Sequence, residues 1–409
     1  MTALRALAIG LAVAATAAAA WTTHSTPSQA ASVASSIQDV ACPSGARCLA
    51  VGFQSSLTSV QAPLAETWDR RTWTVEATQS PAGAESSLLE GVACTSSTSC
   101  VAVGHQDVAP QYFGAAVPVG KPLAEVWDGL TWSIRPVPVP TGAVESELYD
   151  VSCTSSMCMA VGHYENRSGA GGPLAEMWDG TAWSLLPTPG SEFAEDSVLR
   201  GVACPSATSC VAVGYYEHEV NAIFSATATL VESWDGRTWR VRPSPTPAGS
   251  RDAELNAVAC PSAGQCMAVG FQRLPSGVYA PLVESWNGEA WRIVPTGSPN
   301  QSPDAELEAV SCPEPDRCLA VGYQQLRSGA VVLAESWDGA RWAIQPISGP
   351  PGAADSTLNG IECAAATSCL AAGSYRQRSL VEVGLAEAWD GTAWTILKTP
   401  DLSGHSPAP

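Results

Sequence analysis

Three segments concentrate side chains able to bind ligands or exchange protons: His105-Gln106-Asp107, His163-Tyr164-Glu165 and Tyr215-Tyr216-Glu217-His218. Histidine next to carboxylate suits a metal site or a polar ligand pocket near neutral pH. Each segment follows an apolar run ending in glycine, such as Val101-Ala102-Val103-Gly104. Elsewhere the same place holds Phe53-Gln54, Phe271-Gln272, Tyr323-Gln324 or Ser374-Tyr375. Packing of a ring therefore competes with ligand binding at His105 and His163. Tyrosine and glutamine in the same register would also suit a sugar. No cofactor is implied.

Two acidic series recur. Glutamate stands two residues before a tryptophan at Glu66, Glu125, Glu176, Glu232, Glu284, Glu335 and Glu387. A catalytic acid is not needed seven times, so these read as structural acceptors of an indole or backbone N–H. A second series, Glu145, Asp196, Asp252, Asp304 and Asp355, lies eight residues before a cysteine. It reads as turn capping, because no Asp-x-Asp-x-Asp-Gly calcium loop is present. No Gly-x-Ser-x-Gly elbow, His-Glu-x-x-His helix or phosphate loop occurs, and no catalytic residue is assigned.

The fourteen cysteines form seven close pairs. Cys42 goes with Cys48, Cys94 with Cys100, Cys153 with Cys158, and Cys204 with Cys210. Cys260 goes with Cys266, Cys312 with Cys318, and Cys363 with Cys369. Their spacing is wider than the usual metal knuckle and no histidine completes a set, so disulfides are expected and no metal. Tryptophans pair in the same rhythm, from Trp68 with Trp73 to Trp389 with Trp394. First cysteines are 52, 59, 51, 56, 52 and 51 residues apart, which marks a repeat of seven units.

Each unit parses into four strand-length runs, a to d. Run a precedes the first cysteine (Leu255 to Cys260), and run b starts at the second (Cys210 to Tyr216). Run c ends in Trp-Asp-Gly, and run d starts at the next tryptophan. The Asp-Gly step is a hairpin signal. Repeat 1 has Arg70 in place of the glycine, and repeat 5 has Asn287 in place of the aspartate. Four thin strands cannot bury both faces alone, but seven sheets stacked around an axis can. The expected fold is all-β: a seven-bladed β-propeller of four antiparallel strands per blade, with one disulfide per blade. No strand is left over to latch the ring, so the disulfides are expected to compensate in part.

This order of strand, apolar-Val-Gly strand, loop and acidic turn before tryptophan resembles kelch repeats, as in propellers of the galactose oxidase type. The period near 50 suits kelch. The turn Ser233-Trp234-Asp235-Gly236-Arg237-Thr238-Trp239 resembles a sialidase Asp-box, one residue short. The resemblance implies a fold and no particular chemistry. A sialidase needs several arginines over the mouth, and Arg200 is the only one in a run a. A copper-radical oxidase needs an unpaired cysteine, and all fourteen fall into close pairs.

The first 30 residues read as a signal peptide, with Arg5, an alanine-rich apolar run and exits after Ala20 or Ala30. Residues 31–400 hold the propeller and 401–409 a disordered tail. The chain carries a formal charge of −19, which disfavours nucleic acid and anionic membranes. With 45% hydrophobic and 14% charged residues it reads as folded. No membrane span is expected in the mature chain. These features point to a secreted or cell-surface module that binds a carbohydrate or protein through the b–c and d–a end. The alternatives are an extracellular glycoside hydrolase or lyase, and a scaffold with no small ligand.

Overall fold

The computed structural model describes residues 32–45, 47–56, 58–109, 119–191, 196–221, 224–297, 304–400 and 402. The expected leader and, apart from Leu402, the expected tail lie outside the described residues. Leu402 is buried.

Seven four-stranded antiparallel sheets form, each built from consecutive strands in the order a-b-c-d. Blade 3, for example, uses Ala143–Cys153, Cys158–Asn166, Gly171–Trp178 and Trp183–Leu186. Strand a of each blade touches strand a of the next, and blade 7 returns to blade 1. The a strands therefore line the axis and the short d strands form the rim. Among the described residues there is no helix.

Both faces of every blade are covered by neighbours, which is why the b runs are apolar without alternation. In blade 2, Cys100 and Ala102 pack against Leu49 and Val51 of blade 1. The intervening Val101 and Val103 pack against Leu148 and Val151 of blade 3. The glycine ending each apolar run has a specific cause. Strand a carries a bulge opposite it, between Leu89 and Gly91 in blade 2. A Cβ on Gly104 would lie 2.2 Å from the carbonyl oxygen of Leu88, and the other six blades repeat this clash.

A disulfide closes the a–b hairpin in every blade, with the pairing the spacing predicts. Cys42 bonds Cys48, Cys94 bonds Cys100, Cys153 bonds Cys158, and Cys204 bonds Cys210. Cys260 bonds Cys266, Cys312 bonds Cys318, and Cys363 bonds Cys369. The second cysteine of each pair is buried at the start of strand b: Cys48, Cys266, Cys318 and Cys369 each sit in an inter-blade core, as Cys100 does. These cysteines are thus part of the frame.

At the c–d turn the two tryptophans sit directly opposite each other, with ring centroids 5.3–6.0 Å apart. The aspartate after the first tryptophan caps this turn. Asp69 Oδ1 accepts the N–H groups of Arg71 and Thr72, at 2.9 and 2.8 Å. Asn287 does the same for Glu289 and Ala290. The turn glycine has positive φ in six blades, and Arg70 is held at φ 74° in blade 1.

Among the described residues no strand is exchanged between blades 1 and 7. Ile37 and Val40 share a core with Leu370, Ala372 and Ala386. Asn359 Nδ2 donates to the carbonyl of Ile37 at 2.9 Å, and Gly384 N donates to Ser35 Oγ at 3.2 Å. Asn256 makes the same bridge to Leu307 between blades 5 and 6, at 3.1 Å. Side chains on the a strands thus close the ring as they join ordinary neighbours.

Candidate functional site

The axial channel holds a cavity of about 420 Å³, lined by the a strands of all seven blades from mid-channel down to the disulfides. Its upper tier comes from one position, four residues before the first cysteine: Gln38, Glu90, Tyr149, Arg200, Asn256, Glu308 and Asn359. Two members of this tier, Asn256 and Asn359, bridge to the next blade. This tier varies from blade to blade, and every member can hydrogen bond.

Blades 2 to 4 join this tier to the histidines and tyrosines singled out above. His105, His163 and Tyr215 lie on strand b, opposite Leu88, Glu147 and Val198 of strand a. The Tyr149 hydroxyl donates to Glu147 Oε2 at 2.9 Å and lies 3.3 Å from His163 Nδ1. The Tyr149 and His163 rings stack with centroids 6.3 Å apart. The Arg200 guanidinium sits over the ring of Tyr149 at 5.1 Å and over that of Tyr215 at 5.7 Å. It also hydrogen bonds Tyr215. Burial, with Glu147 beside it, pushes the Tyr149 phenol up, so it stays a neutral donor. Burial also raises Glu90, while His105 and Arg200 pull it back. Histidine, carboxylate, phenol and guanidinium thus form one polar wall.

Run b continues past its glycine through these segments in blades 2 to 4. They are strand: blade 2 extends strand b to Val108, blade 3 to Asn166 and blade 4 to Asn221. Pairing with strand a continues past the glycine, so successive side chains face opposite ways. His105, His163 and Tyr215 take one face. Tyr164 and Tyr216 take the other and pack into inter-blade cores. The His218 ring centroid lies 5.8 Å from that of Tyr216. Asp107, Glu165 and Glu217 lie directly across from Ser86, Glu145 and Asp196 at the d–a end. One constellation in the sequence thus becomes two sets facing different grooves. Among the described residues no three His, Cys, Asp or Glu side chains gather as a metal site.

Both acidic series lie at the joints between blades, and where the glutamates accept a hydrogen bond the donor is a backbone N–H or a serine hydroxyl, not the expected indole. Asp304 Oδ1 accepts the N–H of Tyr279 at 2.8 Å, and Asp355 Oδ1 that of Ala330 at 3.0 Å, each from strand c of the preceding blade. Asp304 and Asp355 thus clamp blades together, while Asp196 Oδ1 accepts the N–H of Ser197 beside it at 2.7 Å. The glutamates before tryptophan are at most 3% exposed. Glu232 Oε1 accepts the N–H of Gly190 at 3.0 Å, and Ser244 Oγ donates to Glu284 Oε2 at 2.5 Å, again from the preceding blade. Burial pushes Glu66 and Glu176 up to about 8 and the other five to about 7.

No protein-family model matches the sequence, and no curated protein does. Solved structures match the fold. A polysaccharide lyase of a new family, an ulvan lyase, aligns at a TM-score of 0.52 with 8% identity, covering 93% of this chain and 100% of that one. The β-propeller domain of the trilobed protease from Pyrococcus furiosus aligns at 0.50 with 9% identity, over 90% and 99%. A Dyadobacter fermentans protein of unknown function aligns at 0.50 with 10% identity, over 88% and 96%. At such identities the likeness is one of fold alone. The chain is a seven-bladed β-propeller.

Proposed function

We propose that this propeller is a secreted binding module that recognises a carbohydrate at the end carrying the b–c and d–a connections. Its repeats are of a kelch-like kind. The observation that carries the reading is the polar wall on blades 2 to 4, where Arg200 lies between Tyr149 and Tyr215, and Tyr149 bonds Glu147 beside His163. Planar hydrogen-bonding groups beside aromatic faces match the alternating polar and C–H faces of a sugar ring. The fold has no use for this wall, since the other blades form the same strands without it. Seven disulfides among the described residues fit an oxidising, extracellular setting.

A glycan array probed with the labelled protein tests this, followed by titration of the best hit against His163→Ala and Tyr215→Ala. Both sit beside the channel wall and outside the inter-blade cores that hold Tyr164 and Tyr216. Saturable binding, weakened at least tenfold in either variant with an unchanged melt, supports the reading. Protein pull-down with no glycan hit moves the partner to a polypeptide. Release of reducing ends or unsaturated sugars points to a hydrolase or lyase. Retention of neither glycan nor protein leaves the scaffold.

A further inference from the structure

Six linkers run from strand d of one blade to strand a of the next, and all have one length. Trp73 and Cys94, Trp132 and Cys153, Trp183 and Cys204, Trp239 and Cys260, Trp291 and Cys312, and Trp342 and Cys363 are each 21 positions apart. Blades 7 and 1 have no such linker, because they hold the two ends of the ring. Between them lies a largely apolar groove of about 660 Å³. Ala34 and Ser35 of blade 1 line it, with Val383 and Leu385 of blade 7 and with Pro400 and Leu402 beyond strand d.

The segment leaving blade 7 nevertheless starts as a linker does. Five residues after Trp394, Thr399 Oγ1 donates to the carbonyl of Gly384 on strand c, at 2.8 Å. Thr78 and Thr188 hold the same place in blades 1 and 3 and donate to Pro63 and Pro173, at 2.8 and 2.6 Å. Eight residues after the tryptophan stand Pro81, Pro140, Pro247 and Pro350, and in blade 7 Leu402, which is 6% exposed. Ten residues after it stand Gly83, Gly142, Gly249 and Gly352, all at positive φ. Each closes a turn in which the eleventh residue donates its N–H back to the eighth, as Ala84 does to Pro81 at 3.2 Å and Ala143 to Pro140 at 3.0 Å. The tenth residue after Trp394 is Gly404.

The other end of the ring supplies the rest. The eleventh linker residue stands ten before the next first cysteine, as Ala84 does before Cys94. The residue ten before Cys42 is Ser32, where strand a of blade 1 begins. Gly404 followed by Ser32 would thus be a linker of the common length, cut between its tenth and eleventh residues. Three of the six linkers also donate a backbone N–H to the buried glutamate on strand c of the next blade. Gln79 donates to Glu125 at 3.4 Å, Gly190 to Glu232 at 3.0 Å and Gly297 to Glu335 at 3.4 Å. The matching acceptor on blade 1 is Glu66, whose Oε2 is buried without a partner among the described residues. Gly190 follows Thr188-Pro189 as Asp401 follows Thr399-Pro400.

We infer that residues 399–404 dock across this groove onto blade 1 as a seventh linker, with Leu402 as the apolar anchor and Glu66 as the acceptor. The ring is then latched by the chain's own C-terminal segment in place of a shared strand. Leu402 already stands in the wall of the groove, and two more residues complete the linker. Docking is intramolecular, since strand d of blade 7 holds the segment beside its groove, so a few contacts suffice. The other six joints have a covalent linker as well as their packing. This joint otherwise relies on the core of Ile37 and Val40 with Leu370 and Ala372, and on the bridges from Asn359 and to Ser35. The inference makes no use of the carbohydrate wall, and either can fail alone.

Hydrogen–deuterium exchange of the full chain, read by mass spectrometry, tests this with Leu402→Ser. Loss of the buried anchor should speed exchange about tenfold or more in strand a of blade 1 and strand c of blade 7. The joint between blades 3 and 4 should be unchanged. A chain with Gly404 joined directly to Ser32, and new ends at Pro275 and Ser276 in the exposed b–c turn of blade 5, supplies a second measurement should the first variant fail to fold. It should fold with no spacer and exchange more slowly than the parent at the same joint. Equal exchange in parent and Leu402→Ser, or a direct join that folds only after several residues are inserted, would overturn the inference. A dimer of the parent that Leu402→Ser dissolves would also overturn it, because a second copy would then cover the groove.

Discussion

Replacing Glu232 by glutamine tests the physics of the buried glutamate ring. Glu232 is fully buried between blades and accepts one backbone N–H, from Gly190. Glutamine keeps the shape and that acceptor but cannot ionise. Burial lifts the carboxyl from 4.5 to about 7. Between those values the unfolded chain releases its proton while the native protein holds it. The native state then binds more protons, so stability falls as pH rises through this window and levels off above the folded value. From pH 5 to pH 8 the gap between the two values corresponds to a loss of about 2.5 kcal/mol through this one group. The variant should lack that loss. Relative to the parent it should gain about 2–3 kcal/mol on going from pH 5 to pH 8. Equilibrium guanidinium unfolding at the two pH values, disulfides intact, measures this. Parallel pH profiles for parent and variant would refute it, and would mean that Glu232 titrates near its ordinary value when folded.

Further outcomes follow from the staples, the bulge and the turns. Reduction should lower the unfolding temperature sharply, since each short disulfide loop contributes about 2 kcal/mol; an unchanged melt in reductant would refute the compensation for the absent latch. Gly214→Ala places a Cβ 2.0 Å from the carbonyl oxygen of Val198, and should cost about 3 kcal/mol or prevent folding, read by chemical denaturation. Arg70→Gly removes a positive-φ arginine and should stabilise by about 1 kcal/mol, read as a higher denaturation midpoint. Asn359→Ala breaks the bridge to Ile37 and should cost about 1 kcal/mol, with faster amide exchange in blades 1 and 7 than elsewhere.

Most of the architecture was legible because its signals are local. The cysteine pair declares the a–b hairpin, and Trp-Asp-Gly-x-x-Trp declares the c–d turn through aspartate capping and a glycine at positive φ. The apolar-Val-Gly run announces a strand covered on both sides. The candidate site was only half legible. Histidine and tyrosine drew attention to blades 2 to 4, and Arg200 stood out as the lone arginine on a first strand. Nothing local distinguished Tyr215, which faces the channel wall, from Tyr216, which faces a core. Strand b simply runs further than its glycine suggests. Glu90 and Glu308 carry no local signal either, and only aligning the seven repeats against one another sets them apart.

What the chain determined by itself is the blade: four short strands, a staple, a capped turn, and two apolar faces that no single sheet can cover. These rest on contacts between residues near in sequence, and each repeat states them anew. What only the tertiary structure decided is the meaning of residues that contact another blade. Glu125, Glu232, Glu284 and Glu335 accept from the preceding blade, and Asp252, Asp304 and Asp355 clamp its strand c. The position four before the cysteine faces an axis that exists only once seven blades have closed. An axis shared by seven repeats is a property of the ring, and no repeat contains it.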